Sequence, residues 1–192
     1  MPFMSYQVSA ARAIKNAGRL LKEGGVEAVK LEGGTYIAST IKKIVESGIP
    51  VMGHVGLTPQ SVNLLSGHKT QGKDIKSAQK ILDDARAVEN AGAFSVVLEC
   101  IPEQLAQHIT SKLSIPTIGI GAGKFCDAQV QVFHDILGLS KTFHPKHAKM
   151  YINLYKKILD TLNRFNVDVV NKRFPTKNNC IAYKKNIIDQ LK

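Results

Sequence analysis

Residues Val51-Met52-Gly53-His54-Val55-Gly56-Leu57-Thr58-Pro59-Gln60 begin apolar and turn polar, and where that change falls decides the fold. Val51 to His54 is a short β-strand ending in a histidine. Gly56 to Lys76, rich in Gly, Ser, Thr, Asn and Gln, is too long for a plain connection and reads as a functional loop bordering a site. Upstream of this stretch, Ser9 caps a helix whose Ala13, Ala17, Leu20 and Leu21 share one face, and Gly24-Gly25 ends it. A strand from Ala28 to Glu32 follows. Gly33-Gly34 then turns the chain into a helix with Ile37, Ile41, Ile44 and Val45, which stops at Ser47-Gly48. Downstream, Ser77 opens a helix containing Ile81, Leu82, Ala85 and Val88, closed by Asn90 to Gly92, and Ser95 to Glu99 is a strand. Pro102 starts a helix through Leu105 and Ile109. A strand runs through Ile118 to Gly121, and Gln129 to Phe133 is a fifth. Pro145 to about Arg164 reads as a helix, and the last 28 residues read as a polar extension with a short terminal helix.

Strand-like runs alternating with helix-like ones are the mark of a parallel sheet covered by helices, so the class is α/β. Strand starts at Ala28, Val51, Ser95 and Thr117 lie 23, 44 and 22 residues apart, close to a minimal strand, turn, helix and turn, with one interval doubled by the long loop. A complete eight-stranded β/α barrel typically takes ~250 residues, more than the 192 here.

Composition narrows the function classes. With 44% hydrophobic and 21% charged residues the chain has ordinary globular usage, and no run approaches the ~20 apolar residues of a membrane span. The amino terminus lacks the pattern of a secretory signal, which makes a cytoplasmic location the expectation. Three cysteines, Cys100, Cys126 and Cys180, form neither a C-x-x-C pair nor an even set. The net charge of +11 is uneven: residues 141 to 192 hold 12 Lys+Arg against 3 Asp+Glu, leaving the body nearly neutral. That basic tail has no zinc-finger spacing and no RNA-binding signature, so a specific nucleic-acid module is unsupported and a solvated basic face is the plainer reading.

In β/α folds ligands bind at the carboxyl ends of the parallel strands. Here those ends read Lys30-Leu31-Glu32, Gly53-His54, Leu98-Glu99 and Ile120-Gly121, so three strands finish in groups able to do chemistry. Lys30 and Glu32, two apart on a strand, point to the same side. A charge within an apolar run is costly to bury unless paired or coordinated, which leaves either a structural ion pair or a site. Gly119-x-Gly121-x-Gly123 has its third glycine one position too early for a dinucleotide fingerprint. Cys100 is better read as a small packing residue than as a nucleophile.

The runs Pro2-Phe3-Met4, Val29-Lys30-Leu31-Glu32-Gly33-Gly34, Gly53-His54-Val55-Gly56-Leu57-Thr58-Pro59-Gln60-Ser61-Val62-Asn63, Lys69-Thr70-Gln71-Gly72, Leu98-Glu99-Cys100, Gly119-Ile120-Gly121-Ala122-Gly123 and His134-Asp135 resemble the ketopantoate hydroxymethyltransferase family, over residues 1 to about 165. The resemblance implies transfer of a hydroxymethyl group from 5,10-methylenetetrahydrofolate to 3-methyl-2-oxobutanoate, giving 2-dehydropantoate for pantothenate and coenzyme A synthesis. It implies a (β/α)8 TIM barrel, Mg2+ and a homo-oligomer. It also gives the residues roles. Glu32 would hold the metal, Lys30 would bind the keto-acid carboxylate, and Glu99 would be the general base. His54 would line the substrate site or make a hydrogen bond there, with a satisfied structural histidine as the alternative. By the same resemblance the chain starts after the family's third strand, so about five of eight strands are expected, with 1–165 as a partial barrel and 166–192 as a basic extension. An inactive remnant serving as an assembly subunit is the second functional reading.

Overall fold

The computed structural model describes residues 1–65, 67, 69–142 and 144–181. These fall into two compact units, Met1–Gln131 and Val132–Lys192.

The first unit holds a five-stranded sheet, all parallel, whose strands lie side by side in chain order: β1 Val29–Glu32, β2 Val51–Gly56, β3 Ser95–Glu99, β4 Thr117–Ile120 and β5 Ala128–Gln129. Between them run α1 Ala10–Gly24 ahead of β1, α2 Ala38–Glu46, α3 Ile75–Asn90 and α4 Glu103–Thr110. Each crossover returns the chain to the next strand position. Because such crossovers share one hand, all the helices lie on one face of the sheet. The buried core shows this: Val29, Leu31, Val51, Val55, Val96 and Leu98 join Ala13 and Ala17 of α1, Ile41 and Ile44 of α2, Ile81, Ala85 and Val88 of α3, and Ala106 and Ile109 of α4 in one apolar cluster. Residues of the other parity, Lys30, Glu32, Met52, His54, Val97 and Glu99, lie outside it. Helices on one face only, with strands in sequential order, are the arrangement of a β/α-barrel wall and differ from a doubly wound sheet, which is covered on both faces.

Local chemistry sets the element ends. Ser9 caps α1 by accepting from Arg12 N (3.2 Å), and Gly25 ends it in the left-handed conformation at φ 64°. The start of α3 lies at Asp74, whose carboxylate accepts from Ser77 N (2.9 Å). Ser77 is therefore the third residue of a capping box, and the cap lies three residues before it. The run Gln129 to Phe133 is not a full strand. Only Ala128–Gln129 pairs with β4, and Phe133 already begins the short helix α5, Phe133–Leu137.

In the second unit the long helix is α6, Leu154–Val170, not a helix from Pro145: Asn153 caps it by accepting from Lys156 N (3.0 Å). The expected terminal helix falls mostly on residues 182–192, outside the described residues.

Candidate active site

Every candidate residue sits on the sheet face away from the helices, toward the carboxyl ends of the strands. The parallel register aligns Glu32 of β1 with His54 of β2 and Gly56 of β2 with Glu99 of β3. His54 therefore stands between two carboxylates. Its Nε2 lies 2.9 Å from Glu99 Oε2 and its Nδ1 lies 3.9 Å from Glu32 Oε1. The imidazole is only 2% exposed, and among the described residues neither ring nitrogen makes a well-aligned hydrogen bond, so the Glu99 contact is close but off the N–H axis. A buried imidazole with unsatisfied nitrogens is costly, and such groups concentrate where a ligand completes the set.

Two glycines of the Gly53-to-Gln60 stretch make this packing possible. A Cβ on Gly53 would overlap Val88 Cγ1 of α3 on the core side of β2. Gly56 has φ +91°, and a Cβ there would overlap the Glu99 carbonyl oxygen. The same carbonyl accepts from Leu57 N (2.8 Å), so the exit of β2 is laced to the end of β3. Beyond Glu99 the chain turns sharply: Cys100 has φ 49°, its N–H donates to Ile120 O (2.9 Å), and its carbonyl accepts from Gln71 N (2.9 Å) of the long loop. Burial first, and the nearby Glu99 charge second, push the Cys100 thiol up from its ordinary pKa. It is thus held as a protonated thiol, in keeping with a packing residue.

Glu32 is fixed from several directions. Gln60 N donates to its Oε2 (2.9 Å), and its backbone N–H donates to the hydroxyl of Tyr6 (3.1 Å). Tyr6 is 2% exposed, and burial raises its phenol to about 12. The sequence assigned no role to Tyr6 or to Gln60. Their contacts span 26 and 28 residues to Glu32, and no spacing rule reaches across that separation. Lys30 lies two positions before Glu32 on the same face and is exposed. Among the described residues it makes no ion pair, so the structural Lys30–Glu32 pair is not formed. Among the described residues there is also no group of three or more His, Cys, Asp or Glu side chains set to hold a metal ion.

A one-sided parallel α/β sheet with carboxylate, imidazole and carboxylate in a row at its strand ends places the chain among the α/β enzymes. Residues 1–177 match the family described as Ketopantoate hydroxymethyltransferase, and the chain belongs to that family. Its relatives include 3-methyl-2-oxobutanoate hydroxymethyltransferases from three bacteria. The one from Pseudothermotoga lettingae is 56% identical over 179 residues, covering 93% of this chain and 68% of the relative. That from Carboxydothermus hydrogenoformans is 52% identical, covering 100% of this chain and 69% of the relative. That from Dehalococcoides mccartyi strain CBDB1 is 51% identical, with 100% of this chain and 69% of the relative covered. Among the described residues no helix is long and apolar enough to cross a membrane.

Proposed function

We propose that this chain performs the reaction its relatives are named for, on the helix-free face of a β/α barrel. The methylene carbon of 5,10-methylenetetrahydrofolate is joined to C3 of 3-methyl-2-oxobutanoate as its bonds to the folate nitrogens break. Water supplies the hydroxyl oxygen, and tetrahydrofolate and 2-dehydropantoate leave. The step that needs a protein base is removal of the C3 proton, because C3 becomes a nucleophile only when the adjacent ketone can take up its electron pair.

The observation that carries this reading is Glu99 at a strand end, half-buried, with Oε2 2.9 Å from a histidine nitrogen. Glu99 is the base. Beside it, His54 offers ring nitrogens to a substrate oxygen. Lys30 offers an ammonium with no ion pair among the described residues, on the same face and suited to the keto-acid carboxylate as a point charge. Glu32 also fits Mg2+. Its Oε2 is taken by Gln60 N, Oε1 accepts no hydrogen bond among the described residues, and a hard carboxylate oxygen with waters or substrate oxygens beside it is a set that ion accepts. When bound, the ion supplies positive charge to an oxygen of the substrate. A cytoplasmic location and a homo-oligomer complete the proposal and rest on family membership alone.

The test is direct: supply the purified chain with both substrates and Mg2+, and follow 2-dehydropantoate by mass spectrometry. Product formation that Glu99→Gln abolishes supports the reading. Absence of product from the unmodified chain, or an undiminished rate in the variant, refutes it.

A further inference from the structure

Strand β1 lies at one edge of the sheet, and an edge strand has backbone groups with no ladder partner. Gly33 N–H points inward and donates to His54 O (2.9 Å), whereas Glu32 N–H and C=O point outward. At Glu32 a side-chain hydroxyl takes the place of a neighbouring strand, as the Met1 amino group does at Lys30 O (2.7 Å). Tyr6 Oη accepts from Glu32 N (3.1 Å) and lies 3.1 Å from both Glu32 O and Gln60 Oε1. A phenol has one proton to give, so it donates to one of these two acceptors at a time. Gln60 is held in turn, its Oε1 accepting from Gln7 Nε2 (3.1 Å) and its backbone N–H donating to Glu32 Oε2 (2.9 Å). The Glu32 backbone is thereby pinned by Tyr6 while one carboxylate oxygen is pinned by Gln60, and Tyr6 touches both. Only Oε1, 3.9 Å from His54 Nδ1, remains on the site side.

We propose that Tyr6 and Gln60 are positioning residues that select which oxygen of Glu32 faces the reacting substrate. Neither touches the reacting atoms. They act through Glu32, so the idea rests on the reading of Glu32 as a working residue. Small misplacements of a functional group are costly in rate while leaving substrate binding by other groups intact.

The experiment compares the full chain with its Tyr6→Phe variant and with a chain carrying an ester in place of the Pro59–Gln60 amide, which lacks the Gln60 N–H. Phenylalanine preserves the buried ring and removes only the hydroxyl. Amide hydrogen exchange is read by NMR at Glu32 and at Gly33, whose N–H bonds inward and serves as the internal reference. In Tyr6→Phe the Glu32-to-Gly33 exchange ratio should rise about tenfold or more, since one specific bond is lost and not the strand. The kcat should fall roughly tenfold with the KM for 3-methyl-2-oxobutanoate within about twofold. An unchanged exchange ratio, or an unchanged kcat, overturns the proposal. Should Tyr6→Phe fail to fold, the ester decides, because it removes the N–H that holds Glu32 Oε2 and keeps every side chain: a several-fold drop in kcat with Glu32 amide protection kept supports the clamp, and wild-type kcat overturns it. If the unmodified chain shows no turnover, the proposed function fails, and the exchange ratio alone then judges the clamp.

Discussion

Gly53 immediately precedes the site histidine and faces the core, where its missing Cβ leaves room for Val88 Cγ1 of α3. Gly53→Ala puts a methyl group into that space. Val88 is 0% exposed and cannot swing into solvent, so the helix, the strand or both must move. Overpacking of this kind costs roughly 1 to 3 kcal/mol. For a chain of this size each kcal/mol lowers Tm by about 2 to 4 °C, so a fall of about 2 to 12 °C is expected. Val88→Ala alone opens a cavity and should cost about 2 kcal/mol. Together the two changes should compensate, because the added methyl fills space the valine vacates. Urea unfolding of the four chains gives the coupling, expected at about 1 kcal/mol or more in the stabilising direction. Costs that simply add would refute the claim that Gly53 is required by its approach to Val88. Activity gives a second reading, since His54 shares the displaced strand and should move away from its close approach to Glu99 in Gly53→Ala and return part of the way in the double variant.

Asp127 tests the far end of β4. Its Oδ2 accepts from Thr117 N (2.8 Å) and Thr117 Oγ1 (2.9 Å), and these bonds, the backbone one foremost, hold its carboxyl below the usual range. A lowered folded-state pKa stabilises above the unfolded value near ~4 and is lost as pH falls through the folded one. Asp127→Asn should therefore lower the unfolding free energy from urea titration at pH 7, by about 1 kcal/mol for this exposed group, with the gap to wild type closing in acid. Glu32→Gln should raise the Mg2+ concentration needed for activity and be partly rescued by excess metal. Lys30→Met should instead raise the KM for 3-methyl-2-oxobutanoate without altering the metal requirement, and kinetic titrations of each separate the two.

Much of the sheet was legible because its strands are short apolar runs closed by glycine, serine or proline. Lys30, Glu32, His54 and Glu99 were legible as a set because each stands at or near the end of such a run. Less legible was what depends on side chains choosing between two local roles. Ser77 looks like a helix cap, but Asp74 accepts the orphan N–H and makes Ser77 its reciprocal partner. Pro145 looks like a first helical residue, yet the side chain that satisfies a helix start belongs to Asn153. Val130 and Val132 carry a strand-like pattern that β4, only four residues long, cannot fully pair. Tyr6 and Gln60 were out of reach for a different reason: their 3.1 Å contact joins residues 54 apart, and only the folded sheet brings them together.

The central claim is that Glu99 removes the proton from C3 of the keto acid, and hydrogen exchange at that carbon measures this step alone. The chain, with Mg2+ and 3-methyl-2-oxobutanoate in deuterated water and no folate, should replace the C3 hydrogen with deuterium. Glu99→Gln should retain the fold by circular dichroism and slow that exchange by about 10²- to 10⁴-fold, the usual contribution of a positioned base. A Glu99→Gln chain that exchanges C3 at the wild-type rate would contradict the account.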